Sequence, residues 1–241
     1  MQNERLNALA HGDAQVIRGG GLMEAAMLHG HFDVECYGPH EEDRADYAAL
    51  RQTIHALQQS RLAKFLFAPR IKNLESRLAQ FPLKLLWADA IENTVLTEGK
   101  NLALDTFLAG SSYTVTGPFM GLISSVSYSA IAAGDTAAQI NGSNGWKEAG
   151  SASNFPLYTT PRKTAAWSAA SGGSKALSAA LSFAIITTGG TIKGCFLIFG
   201  TGAVSTIADT NGKLYSAGLF TGGDKVVGVG DTVNVSYTAS L

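Results

Sequence analysis

The strongest constraint on the fold of this chain is a strict alternation of apolar and polar residues near its C-terminal end. Within segment 232–238, Val233, Val235 and Tyr237 fall on one side of an extended backbone, and the residues between them are Thr, Asn and Ser. Successive side chains of a strand point to opposite faces of the sheet. A period of two therefore predicts a half-buried β-strand here.

Similar segments recur through the C-terminal part of the chain. Glycine-rich turns separate them, for example Gly172-Gly173, Gly189-Gly190 and Asn211-Gly212. Seven or more strands at this spacing predict a mainly β fold, an antiparallel β-sandwich of the jelly-roll or Ig-like kind. The candidate strands are Tyr113–Thr116, Phe119–Ser124, Ala165–Ser168, Leu177–Ile186, Thr191–Phe199, Leu214–Phe220 and Thr232–Ala239.

Charge and pattern divide the chain into parts. Residues 1–110 hold 25 charged side chains, whereas residues 111–241 hold only 12. Two more candidate strands, Phe32–Tyr37 and Leu83–Trp87, flank a segment with helical periodicity. The predicted organisation is an N-terminal arm (residues 1–30), a β-sandwich domain (residues 31–39 and 83–241) and an inserted helical hairpin (residues 40–82).

The predicted hairpin consists of two amphipathic helices separated by a break at Pro69. Acidic residues open the first helix and basic residues close it, as the helix dipole favours. The apolar stripes are narrow, so these helices can pair with each other or with copies in neighbouring subunits. The candidate partner-binding residues are Tyr47, Leu50, Ile54 and Leu57 on the first helix and Ile71, Leu74 and Leu78 on the second. A further short helix is predicted over Thr97–Leu108.

Composition argues against several classes of partner. The chain has 18 basic and 19 acidic residues, so nucleic acid and anionic membranes are not expected partners. The longest apolar runs are too short to cross a bilayer, and no signal peptide is recognisable. Cys36 and Cys195 are interpreted as two buried, reduced thiols, although a disulfide between them stays open.

Catalytic and metal motifs find little support. His29 and His31 are spaced as metal ligands on a strand can be, but no Cys or His pair completes the set. All five histidines precede residue 56, so the serines of the β region have no histidine nearby in sequence. The glycine runs match neither a phosphate-binding loop nor a dinucleotide fold. We therefore expect no catalytic residues, no metal and no cofactor.

Aromatic residues offer one alternative. Trp87, Trp146 and Trp167, with Phe119 and Tyr128, can form a sugar-stacking platform if they are exposed. Aromatic side chains at strand positions more often belong to a core. A glycan- or receptor-binding module is therefore the lesser interpretation of these residues.

The last group of sequence features consists of seven stretches, Ile91–Val95, Gly117–Ile123, Gly145–Glu148, Arg162-Lys163, Ala165–Trp167, Ile192–Leu197 and Leu214–Phe220. They resemble a family of tailed-bacteriophage virion proteins usually met among head and decoration genes. The resemblance covers about two thirds of the chain and includes the strand Phe32–Tyr37. In that family a tight turn joins this strand to the one near Trp87, whereas residues 40–82 replace the turn here.

The resemblance implies a non-enzymatic structural protein of the head decoration or cement type. Such a protein would bind the major capsid protein and would associate with its own copies into a homo-oligomer, which we expect to be a trimer. It would lie on the capsid surface of the virion after synthesis in the host bacterial cytoplasm. Two alternatives stay open, namely a tail, neck or fibre component and a glycan- or receptor-binding β module.

Overall fold

The computed structural model of this chain describes residues 29–108, 116–141, 145–151, 153–159 and 161–240. Twelve strands join into one antiparallel sheet that curls on itself, which confirms the prediction of a mainly β fold. No helix among the described residues is long and apolar enough to cross a membrane. The strands are β1 (His29–Pro39), β2 (Leu83–Val95), β3 (Phe119–Ser124), β4 (Lys147–Glu148), β5 (Leu157–Tyr158), β6 (Lys163–Thr164), β7 (Ser174–Ala176), β8 (Leu181–Thr188), β9 (Gly190–Phe199), β10 (Lys213–Leu219), β11 (Lys225–Val227) and β12 (Thr232–Ser240).

The long strand β2 belongs to both halves of the sheet. Residues 83–93 pair with β1, and Thr94 and Val95 continue into a pairing with β10. One half contains β1, β12, β8, β7 and β5, and the other contains β10, β9, β3, β4, β6 and β11. At the crossing, Gly218 of β10 lies so close to Ile91 that a β-carbon there would collide with the isoleucine side chain. Glycine at this position therefore permits the close approach of the two strands.

The burial pattern explains the strand sequences. On β12, Val233, Val235 and Tyr237 are buried and the residues between them are partly exposed, as the alternation predicts. Strand β9 instead has a continuous apolar run from Cys195 to Ile198, because its two faces contribute to two different core clusters. A strand covered on both faces has no polar side to alternate with.

Most of the predicted strands are found, with shifted ends. Phe119–Ser124 is a strand over the predicted residues, whereas the predicted Leu177–Ile186 begins at Leu181. The prediction of a strand at Ala165–Ser168 is wrong, since only Trp167 forms an isolated bridge there, to Leu177. Residues 113–115 of the candidate strand Tyr113–Thr116 and residues 1–28 of the predicted arm lie outside the described residues, and Thr116 belongs to no strand.

The helices lie between β1 and β2 and directly after β2. The sequence predicts two helices between the strands, but the structure has three, because the backbone at Ser60 is extended and its hydroxyl accepts a hydrogen bond from the Ala63 amide. Pro69 lies in the first turn of the next helix, where proline is tolerated. The helices are α1 (Arg44–Gln59), α2 (Arg61–Leu66), α3 (Ala68–Leu78) and α4 (Thr97–Leu108), and a short 3-10 turn covers Glu41–Asp43. The prediction of α4 is confirmed at both ends.

Candidate interaction site

Helix α1 is fixed to the sheet at its first turn by a buried carboxylate. Arg44 Nη1 donates to Asp231 Oδ1 at 2.7 Å, and Asp231 Oδ2 accepts from the amide of Gly228 at 2.6 Å. The Asp231 side chain is only 3 % exposed. Because the partners are 187 residues apart in sequence, this contact ties the helical segment to the turn before β12.

Further contacts continue this attachment along α1. Arg51 Nη1 donates to the carbonyl of Gly230 at 3.0 Å and to the Thr232 hydroxyl at 3.1 Å, and its guanidinium lies over the Tyr47 ring. Burial lowers the pKa of Arg51. Gln52 donates to the carbonyl of Ile186 on β8 at 3.2 Å. The first half of α1 is therefore held against the sheet by polar contacts as well as by packing.

The predicted partner-binding residues pack largely against other parts of the same chain. Tyr47, Ile54 and Ile71 are buried, and the other members of the two stripes, Leu50, Leu57, Leu74 and Leu78, are half-buried. Helix α3 runs back beside α1, where Gln58 Nε2 donates to Glu75 Oε1 at 3.0 Å. Near the sheet the Tyr47 and Phe81 rings meet edge to face at 5.5 Å. The stripes thus serve contacts between α1, α3 and the sheet, and their role toward a partner stays a prediction.

Within the helical segment, the apolar side chains that remain most exposed lie instead on α2, midway in sequence between β1 and β2. Leu62, Phe65 and Leu66 are 68 %, 82 % and 59 % exposed, and Phe67, which follows them, is 41 % exposed. We call these four residues the α2 tip. Their spacing of three and four places Leu62, Phe65 and Leu66 on one face of the helix. That spacing is the sequence signal for this face, but the longer stripes on α1 and α3 dominate the pattern.

The α2 tip lies in a basic stretch. Between Asp46 and Glu75 the sequence contains no acidic residue. The basic residues nearest the tip, all exposed, are Arg61, Lys64, Arg70 and Lys72. A contiguous exposed apolar patch beside charged residues is typical of a protein interaction site.

A second polar feature, the ion pair of Glu148 with Arg162, is fully buried. Arg162 Nε and Nη2 donate to the two carboxylate oxygens at 2.8 and 2.7 Å, and neither side chain is exposed. Glu148 also accepts from the amide of Ala208, and Arg162 donates to the carbonyls of Val204 and Asp209. Burial raises the pKa of Glu148, and the hydrogen bonds from Arg162 oppose that rise. These contacts hold the 204–209 loop against β4.

The remaining candidates of the sequence are also accounted for. Cys36 and Cys195 are both buried and free, and burial raises the pKa of Cys36 to about 12, so its thiol is not activated. Among the described residues no group of His, Cys, Asp and Glu side chains is arranged to hold a metal ion. The five aromatic residues do not form an exposed platform, since Trp146 is fully buried against Phe196 and the others pack partly into the two core clusters.

His31 lies between two carboxylates on the outer surface of the sheet. Its Nε2 is 3.0 Å from Asp33 Oδ1 and its Nδ1 is 3.0 Å from Glu92 Oε1. Desolvation alone would lower the pKa of His31, but the hydrogen bonds and charges of Asp33 and Glu92 raise it above its usual value near 6.5. The imidazolium is therefore the form that this arrangement favours.

This pKa predicts a small dependence of stability on pH. A histidine whose pKa is raised in the folded state stabilises the fold fully at pH values below its unfolded pKa of about 6.5. This stabilisation is lost as the pH rises through the pKa of the folded state. Because the site is partly exposed, we expect a loss of only a few tenths of a kcal/mol between pH 6 and pH 8. Urea unfolding across this range measures it, with His31→Gln as the control. The same pH dependence in the variant would contradict the assignment.

Comparison of this chain with protein-family models, with curated proteins and with solved structures found no match. The class that the structure defines is therefore one of architecture, an antiparallel β fold with a helical segment that presents the α2 tip.

Proposed function

We propose that this chain is a non-enzymatic structural protein of a tailed-bacteriophage virion, which binds the capsid lattice on the head surface as a decoration or cement protein. Its partners are the major capsid protein and further copies of itself, with which we expect it to form a trimer. The sequence resemblance gives the class of virion protein. The exposed α2 tip carries the proposal, because it is an apolar contact surface on a segment attached to the sheet through Arg44 and Arg51.

The size of the tip fits a protein that acts in many copies. Leu62, Phe65 and Leu66 together expose roughly 300–400 Å² of apolar surface, similar to the largest patch on a typical monomer. At about 25 cal/mol per Å², its burial contributes roughly 8–10 kcal/mol. Association itself costs roughly 4–15 kcal/mol in lost freedom. One tip therefore binds weakly, whereas a protein displayed on a repeating lattice gains affinity from multivalent attachment.

The proposal includes the finer architecture. The two halves of the curled sheet serve as the two layers of a β-sandwich, with β2 as the strand that changes layer. The segment 40–82 is an insertion that replaces a turn between β1 and β2 and carries the contact surface away from the sheet. Of its three helices, α1 is hydrogen-bonded to β8 and to the turn before β12, so the tip has a defined position relative to the sheet.

Occupancy of virus particles tests the proposed function. We expect the double variant Phe65→Ser/Leu66→Ser to fold normally, because both side chains are exposed, and to reduce the copies per purified particle at least tenfold. Quantitative mass spectrometry, normalised to the major capsid protein, gives the copy number. Val226→Ser is the matched control, because Val226 is 73 % exposed and lies on β11.

Three outcomes would contradict the proposal. If wild-type copies number only a handful per particle, the chain belongs to the tail, neck or fibre. If the tip variant occupies particles as fully as wild type does, the tip contributes to attachment neither directly nor through a contact between copies. Absence of the wild-type chain from particles would exclude a virion role.

A further inference from the structure

The outer face of β1 and β2 complements the α2 tip in both charge and apolar character. Antiparallel pairing places directly opposed residues on the same face of a sheet. On this face Tyr37 lies opposite Leu85, and Pro39 lies opposite Leu83. The next pair along the face is Glu35 with Ala88. Leu83 and Leu85 are 46 % and 50 % exposed. We call this surface the β1–β2 face.

Acidic residues follow the apolar end of this face. Asp33 and Glu35 are exposed on β1, Glu92 is exposed on β2, and His31 lies between Asp33 and Glu92. Three carboxylates beside one histidine leave this face with a net negative charge. The next strand, β12, places the uncharged residues Asn234 and Ser236 beside Glu35 and Asp33. The face thus resembles the tip in combining an apolar area with charged residues, but its charges are negative where those of the tip are positive.

One chain does not bring its own two surfaces together, since Leu83 and Leu85 as well as the tip residues stay exposed. Helix α1 has 16 residues and therefore extends about 24 Å between the end of β1 and the α2 tip. Its contacts with Asp231, Gly230 and Ile186 fix it against β8 and the turn before β12. The tip is consequently held away from the β1–β2 face of the same chain.

We infer that the α2 tip of one copy docks on the β1–β2 face of a second copy, with Arg61 and Lys64 near Asp33 and Glu35. Contact between two tips is disfavoured, since it would bring four basic residues of each copy together. A contact between two different surfaces is heterologous, so repeating it generates a closed ring or an open array. The inference rests on the proposed function for the idea that many copies act together, but it concerns contacts between copies only.

Charge reversal in purified protein tests this contact. Sedimentation velocity at low salt should show a weight-average mass that rises with concentration near 100 μM, as expected for one small interface. Either reversal, Arg61→Glu/Lys64→Glu on the tip or Asp33→Lys/Glu35→Lys on the face, should weaken self-association at least tenfold. Added salt should weaken the wild-type contact as well, because the charges are exposed.

Mixing the two reversed variants separates a specific contact from a general effect of charge. In the mixture an acidic tip meets a basic face and a basic tip meets an acidic face, so we expect association to return to the wild-type level. Phe65→Ser should abolish association, and Val226→Ser should leave it unchanged. Thermal unfolding of each variant verifies that the fold is retained.

Three results with purified protein would overturn the inference. They are a mixture that does not associate, an oligomer whose mass neither reversal changes, and a wild-type chain that stays monomeric while its tip binds anionic vesicles. Because these experiments use no particles, they are independent of the occupancy test. Occupancy that depends on Phe65 without any self-association would assign the tip to the capsid protein and would also overturn the contact between copies.

Discussion

Replacement of Arg162 by methionine should lower the free energy of unfolding by about 3–5 kcal/mol, because it leaves the Glu148 carboxylate buried without its counter-ion. Both side chains are fully buried, and the two hydrogen bonds of the pair are 2.8 and 2.7 Å long. The guanidinium also lies over the Phe196 ring, so packing is lost together with charge. Urea unfolding monitored by tryptophan fluorescence measures the change.

Two controls distinguish the unpaired charge from the lost packing. Lys213→Met removes a half-exposed cation from its pair with Glu98 at 3.2 Å and should cost less than about 1 kcal/mol. Adding Glu148→Gln to Arg162→Met should restore part of the stability, because the second change removes the uncompensated charge. The deficit of Arg162→Met should also shrink as the pH falls toward 5, since a carboxyl without its cation has a raised pKa in the folded state. A loss below about 1 kcal/mol would contradict the predicted importance of this pair.

Replacement of Asp231 by alanine should detach α1 from the sheet and cost about 2–4 kcal/mol. The change leaves Arg44 without its buried partner and the Gly228 amide without an acceptor. Because Asp231 joins the helical segment to the turn before β12, the helices should open locally more often than the sheet does. Trypsin cleavage after Arg61 and Lys64 under native conditions should accelerate, and the same variant should occupy virus particles less fully.

Glu41→Ala is the matched control for this prediction. Glu41 also accepts a hydrogen bond from Arg44, at 3.1 Å, but its side chain is 83 % exposed. An exposed pair of this kind contributes less than about 1 kcal/mol, so neither stability nor the cleavage rate should change much. Equal cleavage rates in Asp231→Ala and wild type would show that the buried carboxylate is not what holds α1.

The local elements of this chain are largely predictable. The alternation on β12 and the apolar run on β9 indicate strands, and the periodicity of Thr97–Leu108 indicates a helix, because these patterns follow from the geometry of a few neighbouring residues. The error at Ala165–Ser168 has a physical cause, since that segment finds only one bridging partner, at Leu177. Strand propensity without a neighbouring strand does not produce a ladder.

The candidate site was predicted only in part, for a related reason. Periodicity located the helical segment and its apolar residues, but it does not distinguish an apolar side chain that packs on its own sheet from one left exposed. Tyr47 and Ile54 are covered by their own chain, whereas Phe65, on a helix of only six residues, is not. Exposure depends on which element folds over which, and that information is not local.

By itself, therefore, the sequence determined the β class, the position of the helical segment and the uneven distribution of charge. Tertiary structure alone decided the pairing of β2 with both β1 and β10, the burial of Glu148 with Arg162 and the attachment of α1 through Asp231. Arg44 and Asp231 are 187 residues apart, and no pattern within either segment points to the other. Strand periodicity depends on adjacent residues, whereas ion pairs and exposed surfaces depend on how distant segments pack. The local structure was therefore predictable, and the candidate site was predictable only in part.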